Sequence, residues 1–344
     1  MHCCRRARGV TIARFTLLSL LALAIAAAGL SVVAPPEHAV AIAKAAKRMV
    51  RKAAKRVHAP AGPLARDLFA AVKTPAPMPP QAIGFYAKGC LAGAAALPAD
   101  GPTWQVLRLA RNRNWGHPEL IALIERLAGD AKEHDAWPGL LVGDIAQPRG
   151  GPMPRGHASH QVGLDADIWL TPMPSRRLTD REREDIVPTS MVAPDGLSVD
   201  RSVFTDAQVR LLQRAASEAS VERIFVNPAI KKALCDATPI DADRAWLHKI
   251  RAYWGHDSHF HMRITCPHTS IACKSQPPLP SDDGCGAELS NWLASGKKSS
   301  RTDSVTAAPA RRGITLDQLP TECRAVLDSE AAATAETSSL RPQP

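Results

Sequence analysis

Apolar positions along the chain fall into short blocks with distinct periods. Residues 120–127 (LIALIERL) carry their apolar side chains at helical spacing, and Pro118 and Glu119 suit the first turn of that helix. Residues 140–145 form a short apolar run that Pro148, Gly150, Gly151, Pro152 and Pro154 end, which predicts a strand. Residues 162–170 alternate and predict another. Residues 206–219 predict a helix with Thr205 as its N-cap. Residues 223–226 read as a strand, and Asn227-Pro228 opens a helix through Leu234. Residues 245–253 read as helical, and residues 259–264 as a strand of period 2. Short strands mixed with helices in no regular alternation predict an α+β fold, with a small, mainly antiparallel sheet.

The ends of the chain read differently. Arg5, Arg6, Arg8 and Arg14 precede an apolar run over residues 15–34, so residues 1–41 are expected to be a secretory signal or an uncleaved N-terminal anchor. Residues 42–82 are first basic, then rich in Ala and Pro, and read as a linker. Residues 83–325 are the expected body, interrupted by a low-complexity insertion at 295–312, and residues 326–344 read as a disordered tail.

Charge sharpens this division. The chain of 344 residues has a formal charge of +10, which invites a nucleic-acid reading. Residues 1–60, however, hold 11 Lys/Arg against one acid, Glu37, so the other 284 residues are neutral by count. The excess belongs to the leader, where it suits association with a membrane surface, and a nucleic-acid partner is not expected. Of eight cysteines, Cys3 and Cys4 lie in the leader and six remain. An even number in an exported chain predicts three disulfides, although composition leaves all 15 pairings open.

Histidine carries the chemistry. Five of the 12 histidines fall in two windows, RGHASHQVGLDAD (155–167) and WGHDSHFHMR (254–263). His259 and His261, at i and i+2, share one face of a strand, as do Asp165 and Asp167. Adjacent strands would bring Asp167 and His261 to one metal ion, with His160 supplied by the entering loop. His160, Asp167 and His261 thus make a three-ligand zinc site with a fourth position for water, whose pKa zinc lowers toward about 7. His259 is the candidate general base. His256, a second candidate catalytic residue, and His157 flank the site, able to donate to an oxyanion, His157 being also a candidate additional ligand, and Asp165 is read as orienting a ligand. Among the tryptophans only Trp254 borders a window. A serine hydrolase is not supported, since Gly-x-Ser-x-Gly is absent, as are His-Glu-x-x-His and a P-loop.

At these windows the chain resembles the penicillin-insensitive murein endopeptidases, within the wider group of zinc peptidases that includes lysostaphin and the D-Ala-D-Ala peptidases. The resemblance runs in order through YAKGCL (86–91), RNRNWGHP (111–118), the 157–167 window, IFVNPAIK (224–231), HDSHFHMRITCP (256–267) and DGCGAEL (283–289). It implies a periplasmic zinc endopeptidase cutting the D-alanyl–meso-diaminopimelyl cross-links of peptidoglycan. Carried over by position, it implies His160, Asp167 and His261 as ligands, His259 as base, and His157 and His256 around the metal. It also implies the pairs Cys90–Cys323, Cys235–Cys285 and Cys266–Cys273. Where some members have Asp-Gly-x-His at a second metal, this chain has Asp195-Gly-Leu-Ser198, so Asp195 is a weak candidate for such a site. Two alternatives stand beside this reading. One is a D,D-carboxypeptidase or dipeptidase, for which Arg155 or Arg263 would hold a terminal carboxylate. The other is a non-catalytic wall-binding module with a structural zinc.

Overall fold

The computed structural model describes residues 62–299 and 313–330. The expected signal or anchor, the basic segment, most of the 295–312 insertion and most of the tail lie outside the described residues. Among the described residues no helix is long and apolar enough to cross a membrane.

The site-bearing layer is a six-stranded sheet. Its strands are β4 (Trp104–Val106), β6 (Leu140–Val142), β7 (Asp165–Trp169), β8 (Val221–Val226), β9 (Ile250–Ala252) and β10 (His259–Ile264), in the order β4-β6-β7-β10-β8-β9. The three central pairings are antiparallel and the two outer ones, β4/β6 and β8/β9, are parallel. Two small antiparallel sheets accompany it: the hairpin β1 (Gln81–Phe85) with β2 (Lys88–Ala92), and β3 (Ala95–Ala96) with β5 (Trp115–Gly116). Seven α-helices complete the described α+β fold.

Helices pack where their apolar stripes dictate. After α1 (Ala65–Ala71), the long α2 (Pro118–Asp135) starts on His117, whose ring nitrogen accepts from the Glu119 N–H, and has Pro118 in its first turn. Leu120, Leu123, Ile124, Leu127, Ala128 and Ala131 are buried along one stripe. Each large member contributes about 1.5–3 kcal/mol by leaving water. Past the short α3 (Asp180–Asp185), α4 (Asp206–Ser217) meets that stripe with Leu211, Leu212 and Ala215. Thr205 and Gln208 cap its start reciprocally, as the sequence predicts for Thr205. Arg214 and Asp135 pair between the two helices. Next come α5 (Pro228–Ala237), α6 (Ala287–Ser299) and α7 (Glu322–Asp328).

Two differences from the sequence expectations concern elements. Residues 245–253 are not one helix: Ala245–Lys249 is a short 3-10 turn, and Ile250–Ala252 is β9, paired in parallel with Ile224–Val226 of β8. A partner strand some 25 residues back overrides the local helical preference. The expected linker and tail also contribute to the body. Ala65 and Phe69 of α1 are fully buried with Ile83, Cys90, Leu316, Leu319, Cys323 and Val326, and the Ala65 N–H donates to Ile314 O (2.8 Å). The implied disulfides are all formed. Cys90–Cys323 ties β2 to α7, Cys235–Cys285 ties α5 to the loop before α6, and Cys266–Cys273 closes a loop just after β10.

Candidate active site

Strand register builds the centre. On β10, His259, His261 and Arg263 alternate onto one face; across the ladder His261 pairs with Asp167 of β7 and Arg263 with Asp165. A loop rich in glycine leads from β6 to β7 and delivers His157 and His160. Gly163 in it has φ +69, and a Cβ there would stand 2.4 Å from Leu91 and 2.9 Å from the His117 nitrogen, so only glycine lets the loop lie this close. His160 itself holds φ +64, an uncommon conformation for a histidine. Its backbone N–H donates to Asp165 Oδ2 (3.1 Å), which offsets that strain.

Three rings turn toward Asp167, each fixed by an acceptor on its far side. His160 is fully buried and donates from Nδ1 to Ile145 O (2.6 Å), so Nε2 faces Asp167 Oδ1 at 3.4 Å. His261 donates from Nε2 to Asp165 Oδ1 (2.8 Å), so Nδ1 faces Asp167 Oδ1 at 3.7 Å. His157 donates from Nε2 to Asp144 Oδ2 (3.0 Å), so Nδ1 faces Asp167 Oδ2 at 3.3 Å. His259 stands further off, its Nε2 3.8 Å from Asp167 Oδ2. His256, at φ +52, donates from Nδ1 to Trp254 O (3.2 Å) with its ring 5.1 Å from that of His259.

Electrostatics keep the carboxylates ionised. Burial alone would raise Asp165, but Arg263 and His261 hold it well below the usual carboxylate range. Burial would likewise raise Asp167, and His160 and His259 pull it far down. Asp144 is also held low against burial, by His157 and Arg113. Burial pushes His261 down to about 4, and burial together with His259 lowers His256, so both rings are neutral near neutral pH. His160 goes the other way: burial opposes the charged form, yet Asp167 and Asp165 raise its pKa.

This arrangement fits a metal ion. His160 Nε2 and Asp167 Oδ1 are buried and have no hydrogen-bond partner, a costly state that a shared cation relieves. Ligands of a tetrahedral metal at about 2.0–2.1 Å lie roughly 3.3–3.4 Å from one another. The separations of 3.4 Å for His160–Asp167 and 3.3 Å for His157–Asp167 match, and that for His261–Asp167 is slightly longer. The mutually closest trio of donors is His157, His160 and Asp167. His157, expected to flank the metal or to be an additional ligand, thus stands nearer Asp167 than His261, the third ligand inferred from the sequence, which this trio leaves out.

Asp195 takes another place. Its carboxylate accepts from the Leu197 and Ser198 N–H groups and from Ser198 Oγ in an exposed turn, and no contact among the described residues joins it to the cluster. Sequence reasoning missed Asp144, which Arg111, Arg113 and His157 all engage. The signal was present: a carboxylate inside the otherwise apolar run 140–145 needs a buried partner. A cleft of about 300 Å³ opens beside the cluster, walled by His157, His256, His261, Phe225, Tyr253 and Arg263. Larger hollows elsewhere, of about 420 and 600 Å³, contain no histidine.

Comparison with known proteins agrees with this geometry. The family model described as penicillin-insensitive murein endopeptidase matches residues 82–328, which spans the sheet, both histidine windows and all six paired cysteines. A protein of that name from Yersinia enterocolitica is 42% identical over 255 residues, covering 74% of this chain and 88% of the relative. One from Haemophilus influenzae is 43% identical over 247 residues, 72% of this chain and 82% of the relative. One from Klebsiella pneumoniae is 40% identical over 273 residues, 78% and 94%. Identity at this level over nearly the whole of each relative, with the histidine cluster inside the matched region, places the chain in the penicillin-insensitive murein endopeptidase family.

Proposed function

We propose that the protein is a zinc-dependent murein endopeptidase that hydrolyses the D-alanyl–meso-diaminopimelyl cross-links of peptidoglycan. The observation that carries the reading is the convergence on Asp167 of three ring nitrogens, each tied back by an acceptor, around two buried polar atoms without partners. The relatives' names supply the substrate class. His160, Asp167 and His261 hold the zinc ion, with His157 beside them as a further ligand or as a partner to the substrate. When bound there, zinc supplies Lewis-acid chemistry, polarising the scissile carbonyl and acidifying water.

The chain's own residues do the rest. His259, a quarter exposed and next to the cluster, accepts the proton of the attacking water and delivers it to the leaving amine. His256 keeps its Nδ1–H on Trp254 O, which leaves Nε2 to hydrogen-bond at the reacting centre. Asp165 and Asp144 orient His261 and His157 from behind, an arrangement that sets tautomer and aim together. No serine takes part as nucleophile, so an acylating β-lactam has no target in this mechanism. The pairing of all six body cysteines supports an oxidising compartment, and murein points to the periplasm.

Digestion of purified sacculi followed by mass analysis of the released muropeptides tests the reading. The expected result is loss of cross-linked dimers with a matching gain of intact monomers. Release of free D-alanine from monomers, with dimers untouched, would instead establish the D,D-carboxypeptidase alternative. Binding to sacculi without any cleavage would establish the wall-binding module.

A further inference from the structure

Arg263 stands one step beyond the histidines on the same face of β10, and its guanidinium is held in an unusual way. The residue is only 5% exposed. Its Cζ lies over two rings, 4.1 Å from the centroid of Tyr86 and 5.3 Å from that of Phe225. Its Nε donates to Asp165 Oδ1 at 2.6 Å. Nη1 and Nη2, however, make no hydrogen bond among the described residues, and neither is sealed from solvent.

The other buried arginines behave differently. Arg183 donates from Nε to Leu178 O, from Nη1 to Ala99 O and Val106 O, and from Nη2 to Asp100 and Gln105. Arg149 holds three backbone carbonyls, and Arg251 engages Asp282 and Glu288 as well as two carbonyls. Those side chains act as structural clamps: Arg183 and Arg251 commit both terminal nitrogens, and Arg149 commits Nε and Nη1. Arg263 has equal burial, an anchored stem and two parallel donors left over, and it lines the cleft. A planar fork with paired free N–H groups matches a carboxylate in bidentate geometry.

We infer that Arg263 is a specificity-determining residue that binds the free carboxylate on the carbon bearing the scissile amide nitrogen, the D-centre carboxylate of the diaminopimelyl residue. The inference rests on the murein endopeptidase reading and names which group of that substrate is recognised. Placement supports it: Arg263 projects from the same face of β10 as His261, one side chain further on, and both line the cleft. A guanidinium that reads this position requires nothing of the chain beyond it, so it serves an endopeptidase as well as a carboxypeptidase.

The test uses two cross-linked muropeptide dimers that differ only at that carboxylate, one free and one amidated. Values of kcat/KM are measured for the wild-type protein and for Arg263→Lys and Arg263→Gln. For the wild type, amidation should lower kcat/KM roughly 10- to 100-fold, the scale of losing a charge-assisted bidentate contact. Arg263→Gln should cut both dimers at similar low rates, and Arg263→Lys should keep part of the discrimination. Equal cleavage of the two dimers by the wild type would overturn this inference alone, and that comparison needs no variant to fold. Undiminished discrimination in Arg263→Gln would overturn it too. Failure of the wild type to cleave the free-carboxylate dimer would overturn the substrate reading and this inference with it.

Discussion

His160, His261 and His157 each commit one ring nitrogen to a fixed acceptor: the Ile145 carbonyl, Asp165 and Asp144. An imidazole held in this way has its tautomer chosen and its other lone pair aimed, so the roles of these residues separate by experiment. Replacement of His160 or Asp167 by Ala should remove bound zinc and activity together. His259→Ala should keep zinc and lose about 10²–10⁴ in rate, the usual contribution of a general base. Asp144→Ala, which reaches the centre only through His157, should weaken zinc binding about 10- to 100-fold if His157 is a ligand. Metal content by elemental analysis beside the rate of each variant decides these points, and loss of zinc from His259→Ala would reverse the assignment of ligand and base. At this scale the sequence is informative about type more than about partner. The i, i+2 spacing of His259 and His261 puts both on one strand face, and that of Asp165 and Asp167 does the same. Spacing cannot tell which histidine stands nearest Asp167, because the 147–163 loop reaches His157 and His160 through backbone conformations that no periodicity encodes.

Among the elements, β7 and β10 carry the proposed site, and α1 packs against the loop that leads to it. The ring of Phe69 in α1 lies where a Cβ on Gly151 would stand 2.3 Å from it, so the helix presses directly on the loop that leads to His157. Phe69→Ala opens a cavity under that loop and should cost about 3–5 kcal/mol in stability, read from a denaturant midpoint. A change within about 0.5 kcal/mol, the range of an ordinary surface substitution, would mean that α1 is the loosely attached linker that its composition suggests. The reason this helix was not legible is physical: half of residues 57–82 are Ala or Pro, and a seven-residue helix with a single large buried side chain, Phe69, has no stripe to detect. Local signals served where an element has its own cap and face, as in α2 and α4. They failed for Ile250–Ala252, whose strand character comes from pairing with β8.

For the whole molecule, charge and cysteine count already divide the chain into a basic N-terminal segment and a neutral, disulfide-bearing body. That body carries the cleft and the three disulfides, and the basic excess lies in the first 60 residues, all outside the described ones. Cys90–Cys323 joins residues 233 apart and closes the body around α1, β2 and α7; in the chain-entropy model such a long loop is worth more than the roughly 3 kcal/mol of a 15-residue one. That closure needed family resemblance to anticipate, since six cysteines alone select no pairing. Cleavage of murein cross-links by this body turns, as proposed, on a metal held at Asp167. The decisive measurement is cleavage of a purified cross-linked muropeptide dimer by the full protein, with a saturating β-lactam, with a chelator, and with zinc returned after chelation. Full activity is expected with the β-lactam, none with the chelator, and recovery on zinc addition. Cleavage that survives the chelator, or that the β-lactam abolishes, would show the proposed metal mechanism to be wrong.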